Sequence, residues 1–215
     1  MTVYLLTNYD PGRKYPLFIF LGGWDGGTGS SPGVARSISE RRDFVCVGMP
    51  LFKAPGFKVT KPNVPGDGFI MTAADGRYRW PYFKAMLEKL EVLVPNVDPA
   101  HRVLGGFSNG AHATAGLIDG SNGEVTRLFS AFLFVEGGGK LQHYERLKGR
   151  AVMMVSSNAK SRPRAQQILD TAKAAGARGS LLFDDVGKHD FPVSAYPAAS
   201  SATERLRTAA SSRSD

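Results

Sequence analysis

Gly106-Phe107-Ser108-Asn109-Gly110 constrains this chain more than any other stretch, because of what flanks it. Arg102-Val103-Leu104-Gly105, just before it, is a short apolar run that reads as a buried strand. Ala111 to Ile118, just after it, is a small-residue run that reads as a helix packed tightly on a sheet. Strand, Gly-x-Ser-x-Gly and helix, in that order, are the setting of a nucleophile elbow. Such a turn strains the serine and raises its Oγ at the top of the sheet. Glycines flank it because a Cβ there would meet the neighbouring strand or helix. The new helix points its N-terminus at the serine, where its dipole favours anionic intermediates.

A pattern of this length with two glycines also arises by chance in a chain with 25 glycines. Two other segments give it weight. Pro16 to Leu21 is an apolar run that reads as a strand, and it opens into Gly22-Gly23-Trp24-Asp25-Gly26-Gly27. In an acyl-transfer enzyme such a loop supplies one backbone N–H to an oxyanion hole, and the residue after the nucleophile supplies the other. Trp24 is the expected loop donor, Gly23 its neighbouring candidate, and Asn109 the second donor. The bland alternative is a glycine-rich connection with no ligand. The second segment is Val186-Gly187-Lys188-His189-Asp190-Phe191-Pro192, which follows the last strand-like run, Ser180 to Asp184. A general base would return to the serine there, and His189 lies 81 residues after Ser108. A histidine taken by itself is more often a surface residue; found in order after the glycine loop and the elbow, it becomes a candidate base.

Taken together, Leu-Gly-Gly-Trp-Asp-Gly-Gly, Gly-Phe-Ser-Asn-Gly-Ala and Gly-Lys-His-Asp-Phe-Pro resemble the α/β-hydrolase superfamily. Within it, the chain is similar to small single-domain esterases of the polyhydroxyalkanoate-depolymerase-like group, which includes feruloyl and acetyl-xylan esterases. The resemblance runs from about Val3 to about Tyr196. It implies a three-layer fold, a mostly parallel twisted sheet with helices on both faces. It also implies Ser108 as nucleophile, His189 as general base, and the amides of Trp24 and Asn109 as oxyanion hole.

The family usually places an aspartate in the loop after the second strand beyond the elbow. That strand reads here as Ala151 to Val155, and its loop, Ser156 to Pro163, holds no carboxylate. Glu136 is the preferred substitute, because it ends the next strand-like run after the elbow helix, Leu128 to Val135, at the edge expected for Ser108. Its bland reading is a solvated carboxylate at a strand end. Asn158 could orient the imidazole by a neutral hydrogen bond. Asp184 or Asp185 could reach it from a few residues upstream, or no working acid is present.

Elsewhere, Val3 to Leu6 and Asp43 to Gly48 read as strands, giving six or seven in all. Trp80, Phe83, Met86, Leu87, Leu90 and Leu93 have helical spacing over 80–93. Ala165 to Ala175 reads as a helix ended by Gly176. The superfamily's first antiparallel strand has no counterpart, so a minimal or N-terminally trimmed version is expected. Residues 1–197 form one expected domain. Within it, 52–79 is a long Pro- and Gly-rich loop, read as a cap or an uninvolved excursion, with Phe57, Phe69, Ile70 and Tyr78 available to line a pocket. Residues 198–215 read as a helix end running into a disordered tail.

At 215 residues and 42% hydrophobic, the chain can bury one good core. No apolar run approaches the roughly 20 residues needed to span a bilayer. The first residues lack the basic and apolar regions of a signal peptide. Cytoplasmic is the expected location; a secreted chain whose leader has been removed would read the same. Cys46, the one cysteine, reads as a buried structural thiol. His101, His112, His143 and His189 show no metal-ligand spacing, so no metal and no cofactor are expected. His112 reads as structural. Net charge is +8, but the basic residues are scattered and carry no nucleic-acid motif. The expected partner is a small-molecule or carbohydrate-linked ester; oligomeric state is open. Two functions fit: a serine hydrolase of carboxylic esters, or a pseudo-hydrolase that binds a ligand or partner without turnover, favoured by the missing loop aspartate.

Overall fold

The computed structural model describes residues 1–23, 33–39, 43–50, 73–139 and 141–190. Seven strands form one sheet: β1 (Thr2–Tyr4), β2 (Tyr15–Leu21), β3 (Val45–Met49), β4 (Val97–Phe107), β5 (Ala131–Val135), β6 (Ala151–Ser156) and β7 (Arg178–Phe183). Their order is β1-β3-β2-β4-β5-β6-β7. Every neighbouring pair is parallel except β1 with β3. An antiparallel strand is thus present at this edge, although the sequence left the superfamily's first one without a counterpart.

Alternation along the strands explains why the sheet is covered twice. Leu17, Ile19 and Leu21 point into one core with Phe132, Phe134, Val152 and Met154. Phe18 and Phe20 point into the other with Cys46, Leu133, Val135 and Met153. A parallel sheet buried on both faces carries apolar residues at successive positions, as these strands do. Against the first core lie α2 (Ala73–Leu93), α3 (Asn109–Gly120), α4 (Glu124–Leu128) and α5 (Arg162–Ala174). Against the second lies α1 (Gly33–Ile38), through Ala35 and Ile38. No helix among the described residues is long and apolar enough to cross a membrane.

Three details correct the sequence reading. The helix expected over 80–93 begins at Ala73, so 73–79 belong to α2 and not to the 52–79 loop. The reason is a tertiary contact: a Cβ on Gly76 would lie 1.7 Å from the Gly116 carbonyl oxygen, so this turn docks directly on α3. Leu93 is 58% exposed, outside the apolar stripe assigned to it. Residues 124–128 are helical, so β5 starts at Ala131 and not at Leu128. Residues 51–72, with Phe57, Phe69 and Ile70, lie outside the described residues, as does the tail from 191. Tyr78 is described and exposed.

Strand order locates the place where a ligand would sit. The chain leaves β2 for β3 on one side and resumes at β4 on the other. In open α/β sheets, ligands bind outside the carboxyl ends of strands where this direction reverses. Gly22-Gly23 and Ser108 follow the carboxyl ends of β2 and β4.

Candidate active site

Ser108 joins β4 to α3 with φ 51° and ψ −114°. Positive φ is uncommon for a residue with a Cβ and is held only where the surroundings over-determine it. Here they do. The Ser108 N–H donates to the Val135 carbonyl at 2.8 Å, and the Ser108 carbonyl accepts from the His112 N–H at 3.1 Å. The flanking glycines allow the approach: a Cβ on Gly106 would lie 2.3 Å from the Gly110 carbonyl carbon, and one on Gly110 would lie 2.1 Å from the Leu21 oxygen. The start of α3 is therefore pressed against the loop leaving β2.

His189 reaches this serine from the loop after β7. Its Nε2 is 2.8 Å from the Ser108 Oγ, and its Nδ1 is 3.1 Å from Glu136 Oε2. An ionised carboxylate only accepts, so Nδ1 carries the proton and the neutral ring offers Nε2 as acceptor to the serine hydroxyl. The imidazole also lies beside the Phe107 ring, with centroids 5.2 Å apart. Its loop is tied down by Ser157, whose Oγ donates to the Lys188 carbonyl at 2.8 Å and accepts from the Asp190 N–H at 3.3 Å.

Glu136 follows β5 and is 6% exposed. Its backbone also has positive φ, 49°. The Ser157 N–H and the Ser161 hydroxyl donate to Oε1, and the Asn158 amide donates to Oε2 alongside the imidazole. Burial pushes this carboxyl up, but the hydrogen bonds from Ser157, Ser161 and His189 outweigh it and hold it below the usual glutamate value. The group stays ionised at neutral pH despite being out of water.

The candidates for the third position therefore separate. Glu136 contacts the imidazole; Asn158 contacts Glu136 and not His189. Asp185 accepts from the Gly187 N–H, and neither Asp184 nor Asp185 hydrogen-bonds His189. Of the expected oxyanion donors, Asn109 is the first residue of α3 and is buried. Gly23 packs so near Phe107 that a Cβ on it would lie 2.6 Å from Cδ1. Trp24 lies outside the described residues. Ser157 and Ser161 are the site residues that sequence reasoning missed. The signal was a run of hydroxyls straight after a buried strand, in a loop searched for a carboxylate.

No family model matches the sequence, and no curated protein matches it. Solved structures do. A thermostable esterase matches at TM-score 0.62 and 18% identity, over 96% of this chain and 58% of that one. The Bacillus cereus carboxylesterase matches at 0.62 and 15% identity, over 97% of this chain and 93% of that one. A butyrate-bound thermophilic esterase of Thermogutta terrifontis matches at 0.58 and 15% identity, over 96% and 86%. This is the α/β-hydrolase fold. The carboxyl ends of β4 and β5, with the loop after β7, bring Ser108, Glu136 and His189 within hydrogen-bond reach.

Proposed function

We propose that the chain is a serine hydrolase of carboxylic esters that works through an acyl-enzyme. The single observation that carries this reading is the unbroken hydrogen-bond chain from Ser108 Oγ through both nitrogens of His189 to Glu136. His189 Nε2 takes the hydroxyl proton while Ser108 Oγ attacks the ester carbonyl carbon. The carbonyl oxygen becomes an oxyanion held by the Asn109 N–H and by a donor of the 23–24 loop. Collapse expels the alcohol, which takes the proton from Nε2 and leaves Ser108 acylated. A water then gives a proton to Nε2 as it attacks the acyl carbon; collapse breaks the bond to Ser108 Oγ, which takes that proton back from Nε2, and the acid is released. Glu136 stabilises the imidazolium formed in each half.

The reading without turnover drew on the absence of a carboxylate after β6. The contact of Glu136 with Nδ1 of the imidazole supports a relocated acid instead. A strained serine and a buried, ionised glutamate are both costly, and a pocket that only binds needs neither. The neighbours' names favour an ester as substrate: an esterase, a carboxylesterase and an esterase holding butyrate. A small-molecule or carbohydrate-linked ester remains the expected class.

Labelling with a fluorophosphonate probe tests the reading, with Ser108→Ala and Glu136→Gln beside the wild type. Ser108→Ala is expected to abolish labelling and turnover of 4-nitrophenyl butyrate. Glu136→Gln is expected to lower kcat/KM by about 10³–10⁴-fold, the scale found when a triad acid becomes its amide. Folded wild-type protein that neither labels nor turns over would overturn it.

A further inference from the structure

Phe107, the residue before the nucleophile, has no polar group to add to the chain from Ser108 to Glu136. Its ring packs on the core of Phe18, Phe20 and Val135. It also lies against the His189 imidazole, with centroids 5.2 Å apart and planes 32° apart. Carbon atoms of two rings approach to about 3.5 Å, so rings side by side in one plane keep their centroids beyond about 6 Å. The closer pair here is an offset, tilted stack in which the two π faces overlap in part. The loop after β2 holds the ring from its own direction: a Cβ on Gly23 would lie 2.6 Å from Phe107 Cδ1.

In the proposed reaction this imidazole becomes a cation twice. An aliphatic side chain of the same bulk would oppose that, because it takes water from the charge and returns nothing. An aromatic face carries negative partial charge and attracts a cation within about 6 Å of its centroid. Glu136 leaves such help a place. Each of its oxygens takes two hydrogen bonds, so its charge is spread over Ser157, Ser161 and Asn158 as well as the imidazole. We propose that Phe107 is a positioning residue for His189 whose π face stabilises the imidazolium. Its effect on rate rests on the proposed ester hydrolysis; its effect on the charge of the imidazole does not.

Fluorine on the ring tests this, because each fluorine draws charge from the π face while the ring nearly keeps its size and place. Phe107 is replaced by monofluoro-, difluoro- and trifluorophenylalanine. The proton affinity of His189 is read from the NMR titration of its ring protons. The chain has four histidines, and the signals of this one are assigned by their loss in His189→Gln. The charged and titratable groups around the imidazole stay the same throughout. They are Glu136 on Nδ1, His112, Lys160 and Arg164 along the cavity that His189 also lines, and the paired Lys188 and Asp190 beside it. Proton affinity is expected to fall with each fluorine, by about threefold over the series. The effect is modest because the His189 side chain is 54% exposed. With 4-nitrophenyl butyrate, kcat should fall in the same order and KM should stay. Cyanophenylalanine, which withdraws charge from one ring position, repeats the test if the trifluoro protein does not fold. A flat titration, or a kcat that ignores a graded one, overturns the proposal. The titration needs no turnover, so the two readings fail separately. A graded titration in protein that hydrolyses no ester would sink the hydrolase reading and leave the stabilised charge. A flat one in protein that hydrolyses would sink the role of Phe107 alone.

Discussion

Glu136 holds a left-handed backbone, φ 49°, which costs a residue with a Cβ roughly 1–2 kcal/mol. Its N–H donates to the Val155 carbonyl at 2.9 Å, and its carboxylate takes four hydrogen bonds. Those bonds make the geometry depend on ionisation. Burial raises this carboxyl, and the hydrogen bonds from Ser157, Ser161 and His189 more than reverse that, so its folded value lies below the ordinary 4.5. A depressed carboxyl stabilises the fold above its unfolded value, and the contribution is lost as pH falls through the folded value. Melting temperature should therefore drop as pH falls below about 4.5, and the drop should be shallower in Glu136→Gln. Equal slopes in both proteins would remove Glu136 as the source. Ser108, His189 and Glu136 were legible as candidates because an elbow, a returning histidine and a strand-end carboxylate leave local marks. Glu136 was preferred over Asn158 because it ends the strand-like run that follows the elbow helix. The left-handed backbone at Glu136, and the Ser157 N–H and Ser161 hydroxyl that hold its carboxylate, were not legible.

At the scale of elements, α2 and α3 touch backbone to backbone. A Cβ on Gly76 would lie 1.7 Å from the Gly116 oxygen, and one on Gly120 would lie 2.2 Å from the Gly76 carbonyl carbon. Alanine at Gly76 gains up to about 1 kcal/mol of helix propensity. The overlap is with backbone, so the helices must part, which costs roughly 1–3 kcal/mol or more. The overlap wins: Gly76→Ala should lower the melting temperature by several degrees. Because α3 carries the elbow, kcat should fall with it; a variant as stable and active as wild type would show that the two helices separate freely. The strands were legible from apolar runs and the longer helices from their period. A short helix and the start of β4 were not, for physical reasons. Glu124–Leu128 is too short to show a helical period. β4 starts at Val97, ahead of its apolar run, through Asp98 and Pro99, where its register with β2 shifts. Proline and charge argue against a strand by local preference, and they are tolerated there because the ladder is interrupted.

For the whole molecule, one sheet serves both cores, so the two faces share the same strands. Cys46 reports on one face and Trp80 on the other. The Cys46 thiol is 1% exposed, and its pKa is pushed up to about 11, chiefly by burial, against smaller opposing effects of Ser39 and Arg36. It should be inert to a thiol reagent at pH 8, for want of both access and thiolate. Denaturant should release one reactive thiol per chain, since the sequence has one cysteine. Trp24→Phe leaves Trp80 as the sole indole, because the chain has two tryptophans. In that protein, thiol reactivity and indole fluorescence should change at the same guanidinium concentration, as coincident probes do in a two-state transition. A thiol that reacts well before the indole transition would mean that the face carrying α1 opens by itself. The sheet would then be held by the core of α2, α3 and α5, the side on which the elbow helix packs.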